Sequence, residues 1–310
     1  LEWILKQMEQ AANGCTEAIA LQAVPFTSAL MEGLKSGYDM RDAHHPGVTY
    51  HASGCLIHGL SVVTDSLVAV RHGLAERAGF AQELLEALRK NFSGAESFRA
   101  YLQGLPKYGN DDSEPDELAV QLAHRVSDLV HALRNPAGSP FLPDFSTPST
   151  HLLYGYHVGA TPDGRPAREM LGYGIDPRRE SAHSGRIDQL LSERKINFGD
   201  FLGGYASHLG ISPEVFRNGR DIPEKMKIFT EKIIKPLFRF HDEVENSPYY
   251  VYFNIDSKRN LRKVLAEPEK YAPNGVYIMR IHGTFVNFLD LSPAIQNDII
   301  ARLDADETVA

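Results

Sequence analysis

Cysteine is nearly missing from this chain: Cys15 and Cys55 are the only two among 310 residues. Two thiols cannot build a disulfide framework, so stability must come from an apolar core, and a reducing cytoplasm is the compartment that fits. Long apolar runs are missing too. No stretch approaches the roughly 18–20 residues of a membrane span. The opening residues, Leu1-Glu2-Trp3-Ile4-Leu5-Lys6, lack the basic region and apolar run of a signal peptide. They also lack a Met and open inside an apparent helix, which raises the expectation of a chain taken from something longer. Positive charge is scarce: 32 Lys and Arg stand against 40 Asp and Glu, a net charge of −8. No basic run stands out, and nucleic-acid binding is not expected. Glycine-rich dinucleotide and phosphate loops, the GxSxG elbow and the HExxH zinc motif are all absent.

What is present is the material of a folded protein. Apolar residues make up 43% and charged residues 23%, enough for a sizeable core in one large domain or two ordinary ones. Ile4, Met8, Ala11 and Ala12 predict a first helix, with a break near Pro25. A glycine-bearing segment from Tyr50 to Leu60 leads into an apolar helix through Val70. Residues 81–103 read as a helical excursion on the surface. The clearest amphipathic helix is 116–134, with Leu122, Val126, Leu129 and Leu133 on one stripe and Asp116 and Glu117 at its positive end. A strand is predicted over 151–154 and a helix over 223–243, kinked at Pro236. The end is compact: strand 250–255, helix 257–266, strand 276–281, a loop at Gly283, and a last helix with Ser292 as N-cap and Pro293 in its first turn. Strands alternating with helices predict an α/β fold with largely parallel strands.

Three local features carry possible chemistry. His44, His45, His51, Cys55 and His58 include donors of the zinc-binding type. With no second CxxC or HxxxH pair, the reading preferred is loop and pocket-lining histidines, and no metal is expected. Cys15 precedes Glu17 by two residues, as a nucleophile or radical relay could. Its neighbours read as continuous helix, where a buried cysteine is usually a small hydrophobe. The third feature is Tyr277-Ile278-Met279-Arg280-Ile281-His282-Gly283-Thr284-Phe285, a glycine directly after a strand. From chemistry alone a plain turn glycine is the preferred reading.

The surroundings of that glycine change the weighting. Arg280-Ile281-His282-Gly283, followed by Phe288-Leu289-Asp290-Leu291-Ser292-Pro293 and a closing helix, resembles the C-terminal segment of the glycyl radical enzymes of the pyruvate formate-lyase and glycerol–diol dehydratase family. Pro106-Lys107-Tyr108-Gly109-Asn110-Asp111 is similar to the family's Pro-Lys-Phe-Gly-Asn-Asp. Gly159-Ala160-Thr161-Pro162-Asp163-Gly164-Arg165 repeats its Gly-Ala-Thr-Pro-Asp-Gly-Arg. The run from Gly59 to Leu67 resembles Gly-Leu-Ser-Val-Ala-x-Asp-Ser-Leu, and Pro25 to Leu30 resembles Pro-Phe-Leu-Ser-Ala-Leu. These matches stand in the family's order from about residue 20 to 305.

The resemblance implies a ten-stranded α/β barrel in which a glycine loop meets a cysteine loop. It makes Gly283 the radical site, with Arg280, His282 and Thr284 shaping its loop. Tyr154 takes the place of an aromatic residue against the substrate, and His58 and His151 are further pocket candidates. It also implies a radical-SAM activating enzyme that uses S-adenosylmethionine and an iron–sulfur cluster, with no cofactor bound by this chain itself. Departures are visible: Thr284 replaces the family's tyrosine, His282 replaces a small residue, and Tyr252-Phe253-Asn254 replaces Gln-Phe-Asn. The family's cysteine loop has no counterpart, since neither Cys15 nor Cys55 matches it.

The chain is therefore expected to be the C-terminal half of the barrel, 1–245, with a glycyl radical domain at 246–310. A second polypeptide would carry the cysteine half, the whole being cytoplasmic, anaerobic and independent of membrane and nucleic acid. A truncated piece of a longer chain is the competing explanation. The implied activity is C–O, C–N or C–C cleavage of a small substrate. A non-catalytic, spare-part subunit is the alternative.

Overall fold

The structure, a computed structural model, describes residues 1–310 except 147–149, 179–180, 185, 239–249, 282–283 and 304–310. In chain order the helices and strands are α1 Glu2–Ala20, α2 Pro25–Leu30, α3 Gly33–Ser36, β1 Ser53–Leu56, α4 Leu60–Glu76, α5 Phe80–Arg89, α6 Glu96–Gln103 and α7 Ser113–His131. There follow β2 Phe141–Asp144, α8 Thr150–His157, α9 Arg186–Arg194, β3 Ala206–Ile211, α10 Ile222–Phe229, α11 Lys235–Phe238 and β4 Tyr250–Ile255. The chain closes with α12 Lys258–Ala266, α13 Pro268–Tyr271, β5 Ile278–Ile281, β6 Thr284–Asn287 and α14 Pro293–Arg302. Among the described residues β1 pairs β2 and β3 pairs β4, both in parallel, while β5 and β6 form an antiparallel hairpin. This is the α/β arrangement expected.

Contacts divide the chain into two compact units. The first joins Leu1–Ile57, Ala123–Asp144 and Asp200–Gly204. Its core sets Leu5 of α1 against Cys55 of β1, Val130 near the end of α7, Leu133 just beyond it, and Phe141 of β2. Polar contacts brace the same packing: Glu9 accepts the Arg134 backbone N–H at 2.7 Å, and Asn13 donates to the Arg134 carbonyl at 2.9 Å. Several large apolar side chains of this unit are exposed. Trp3 is 73% exposed, Leu21 88%, Phe26 78% and Leu34 83%.

The second unit joins His58–Leu122, Phe145–Gly199 and Tyr205–Ala310. It holds two apolar clusters. One gathers Ala69, Phe80, Leu84, Phe92, Phe98 and Leu102, so the segment 81–103 is no surface excursion: α5 and α6 turn their apolar stripes onto α4. The other gathers Leu261, Val264, Met279, Phe288, Ile299 and Ile300, which fastens α12, the hairpin and α14 together.

Three further expectations meet the structure. Residues 151–154 are helical, within α8, rather than a strand. A run of mixed aromatic and aliphatic residues this short does not distinguish the two periods. The only buried position of α8 among its described side chains is Gly155. A Cβ there would lie 2.3 Å from the Glu169 carbonyl oxygen, so the helix rests on backbone through its glycine. The deepest face of α7 is Asp116, Ala119, Ala123, Ser127 and Val130, one step around from the expected leucine stripe, whose Leu122, Val126 and Leu129 are half-buried. Small side chains let the backbone approach its neighbours more closely. The irregularity expected at Pro236 takes the form of a π turn, Thr230–Ile234, between α10 and α11. A proline lacks the N–H for the i−4 bond and crowds that carbonyl, and a wider turn relieves both.

Candidate functional site

The hairpin register pairs Ile278 with Asn287, Met279 with Val286, Arg280 with Phe285 and Ile281 with Thr284. The two residues between the last pair in the chain, His282 and Gly283, lie outside the described residues. Met279 turns inward and is buried, whereas Arg280, Thr284 and Phe285 are exposed. The Arg280 guanidinium lies over its cross-strand partner Phe285, 5.7 Å from the ring centre.

The base of the hairpin is tied down by polar side chains. Tyr277 donates its hydroxyl to Asp256 at 2.6 Å, and Asn260 donates to the Tyr277 oxygen at 2.7 Å and to Asp256 at 2.9 Å. Burial, and then the Asp256 carboxylate, push the Tyr277 hydroxyl well above its ordinary value. Asn287 accepts the Tyr277 backbone N–H at 2.8 Å and donates to the Gly275 carbonyl at 2.9 Å. Asn254, from β4, meets the backbone of Arg280 twice. It donates to the carbonyl at 2.8 Å and accepts the N–H at 3.2 Å. Sequence reading noted Asn254 only as the end of an altered motif; the pairing it makes leaves no local periodic signal.

The other candidates separate. His58 and Tyr154 come together, their ring centres 5.0 Å apart at an interplanar angle of 54°. Tyr154 is 45% exposed and presents its ring from α8. His151 lies on the same helix, and its side chain falls outside the described residues.

The histidines and cysteines of the N-terminal segment go to different partners. His44 meets the Pro136 carbonyl at 3.2 Å, His45 stacks on Tyr38, and His51 meets the Ser139 hydroxyl at 2.9 Å. Cys55 is buried with its sulfur 3.7 Å from that of Met8, and burial raises its thiol pKa. Among the described residues no group of three or more His, Cys, Asp or Glu could hold a metal ion. Cys15, expected to be a buried helical cysteine, is exposed on α1.

The remaining motifs turn out to be knots in the scaffold. Asp65 of α4 is wholly buried and accepts the backbone N–H of Tyr108 at 2.8 Å. Lys107 is buried beside it and donates to the Leu102 carbonyl at 2.7 Å. Gly109 has a φ of +95°, and a Cβ there would lie 2.5 Å from Pro177. Asn110 donates to the Lys107 carbonyl at 3.1 Å and the Ser181 carbonyl at 2.8 Å, and accepts the backbone N–H groups of His183 and Ser184. Lys195 bridges Asp111 at 2.7 Å and the buried Asp116 at 2.8 Å. Arg165 is wholly buried and spends its guanidinium on carbonyls, those of Gly159 at 2.5 Å, Glu169 at 2.7 Å and Pro166 at 3.0 Å. These residues hold loops in place.

Comparison with known proteins gives these contacts a context. A family described as Pyruvate formate lyase-like matches residues 1–155. The isethionate sulfite-lyase of Bilophila wadsworthia is 30% identical over 80% of this chain and 29% of its own length. Among solved structures, a glycyl radical enzyme from Archaeoglobus fulgidus superposes with a TM-score of 0.84 at 27% identity, over 98% of this chain and 37% of that one. The glycerol dehydratase of Clostridium butyricum, with glycerol bound, gives 0.82 at 29% identity, over 97% and 36%. The chain thus spans about a third of the length of the relatives it matches.

Proposed function

The chain belongs to the pyruvate formate lyase-like family, and from that premise we propose that it is the glycyl-radical subunit of a radical lyase or dehydratase. Gly283 stores the radical. A radical-SAM activating enzyme, to which S-adenosylmethionine and an iron–sulfur cluster would belong, would install it by removing one hydrogen atom from the glycine Cα. That radical then takes a hydrogen atom from a cysteine S–H on a second polypeptide, leaving a thiyl radical and an intact glycine. The thiyl radical removes hydrogen from the substrate and so opens C–O, C–N or C–C cleavage. The cysteine S–H returns a hydrogen atom to the product radical, and the thiyl radical so formed takes one from the Gly283 Cα, which restores the thiol and the glycyl radical.

The observation that carries this reading is the pairing of Ile281 with Thr284. It leaves only two residues of chain between two hydrogen-bonded strands, and one of them is the motif's glycine. Glycine suits the role because its Cα bears no side chain to hinder an approaching sulfur or to prevent the radical lying in plane with both flanking peptides. The proposal includes the division into 1–245 and a radical domain at 246–310, with the cysteine half of the barrel supplied by the partner. The exposed apolar side chains of the first unit support a covering partner, since patches of this kind mark interaction surfaces. Tyr154 and His58, in contact, are its pocket residues, with His151 beside them in sequence.

Anaerobic activation of the chain, together with its partner polypeptide and the activating enzyme, should give a glycyl doublet in electron paramagnetic resonance. Gly283→Ala should abolish it, and air should then cut the parent chain at Gly283. A silent, uncut parent from fully loaded material would overturn the proposal. Thr284 in place of tyrosine favours a second reading, a spare-part subunit that stabilises its partner without a radical. A silent sample that still binds the partner tightly would support that one.

A further inference from the structure

We propose that Asn254 is a positioning residue for the glycine hairpin, its side-chain amide setting where the β5 backbone stands against the parallel strands. The inference deepens the proposed radical function and rests on it. A primary amide carries two N–H donors and an acceptor oxygen in one plane, so one N–H and the oxygen can face the same residue. Here both are spent on a single residue of another element, 2.8 Å to the Arg280 carbonyl and 3.2 Å from the Arg280 N–H. This copies the double hydrogen bond by which two residues of an antiparallel ladder exchange N–H and C=O. The backbone of Asn254 is meanwhile paired with Gly210 in the β3–β4 ladder. One side chain thus joins the parallel pair to the hairpin, three residues before Gly283.

Among the described side chains, apolar packing fixes the hairpin only in part. Met279 is buried, but Ile278 is 54% exposed and Phe285 70%. The tyrosine–aspartate–asparagine network at Tyr277 holds the base of the hairpin, and the Asn254 amide holds its backbone nearer to Gly283 in sequence, at Arg280. Hydrogen-atom transfer needs the reacting atoms at roughly 3–3.5 Å, and misplacement by about 1 Å can cost on the order of a hundredfold in rate. Loss of the amide should therefore slow radical formation at Gly283 while leaving the fold in place.

The test uses the full chain with its partner and activating enzyme, comparing the parent with Asn254→Ala and Asn254→Asp. Asp keeps the shape and the acceptor but loses the donor, and sets a carboxylate oxygen against the Arg280 carbonyl. Three quantities are read: hydrogen exchange at the Arg280 amide, melting temperature with partner affinity, and the rate and yield of the glycyl doublet.

Both variants should keep melting temperature and partner affinity. In Asn254→Ala the Arg280 amide should exchange about tenfold faster, and in both variants the doublet should form roughly ten- to a hundredfold more slowly. Parent-like exchange in the alanine variant would overturn the clamp. Faster exchange with a parent-like doublet would overturn the positioning role. If the alanine variant fails to fold, the isosteric aspartate variant decides by its doublet rate. A parent that gives no doublet would refute the radical function itself, and exchange at Arg280 would still decide whether the clamp exists.

Discussion

Asp65 has a carboxyl group that burial pushes up to about 7, against the pull of the Lys107 ammonium. The unfolded chain releases that proton near the ordinary value of about 3.9. Between roughly pH 4 and 7 the folded state therefore binds more protons than the unfolded one. The stability this contributes is complete below about pH 4 and is lost as pH rises through 7. Asp65→Asn removes the titration and keeps an acceptor for the Tyr108 N–H. The melting temperature of the variant should fall less steeply between about pH 4 and 7; parallel curves for parent and variant would refute this. Gly109 poses a steric question instead. With φ at +95° and Pro177 where a Cβ would go, Gly109→Ala should cost at least about 1–3 kcal/mol in denaturant unfolding.

Among the described residues, Arg165 places several carbonyls around one side chain. Arg165→Lys replaces a planar fork by a compact ammonium and leaves buried carbonyls without donors. With about 1–3 kcal/mol for each such group, the variant should lose several kcal/mol by denaturant titration. A loss below about 1 kcal/mol would mean that water replaces the guanidinium. On α7, Ala123→Leu should cost about 1–3 kcal/mol by overpacking, because that position is fully buried.

The same elements show what could be read from the chain beforehand. A helix start with a proline in its first turn, such as Pro293 at the start of α14, was legible because its signal is local. The small-residue face of α7 was not, since alanine and serine carry no hydrophobic stripe. The helical state of α8 was not, because it depends on a backbone contact at Gly155. Of the candidate site, the strand that precedes Gly283 was legible. The part played by Asn254 could not, because a side chain that pairs with a distant backbone has no period in sequence.

For the whole molecule, the uncovered apolar side chains of the first unit carry the sharpest expectation. Trp3 is the single tryptophan of the chain and is 73% exposed, so tryptophan emission reports on one place. Mixing with the proposed partner should shift that emission to the blue and lower light scattering at high protein concentration. Unchanged emission in a complex shown to be fully formed would leave the α1 face outside the interface.

The knots at Asp65, Asn110 and Arg165 have a consequence for how such chains are catalogued. Residues selected to keep loops shut change slowly whether or not any turnover follows. A pattern search built on them will gather dormant copies alongside working ones. Surveys that count anaerobic metabolism from these signatures would measure how often an architecture persists, and only the few positions around the hairpin tip would say how often it is used.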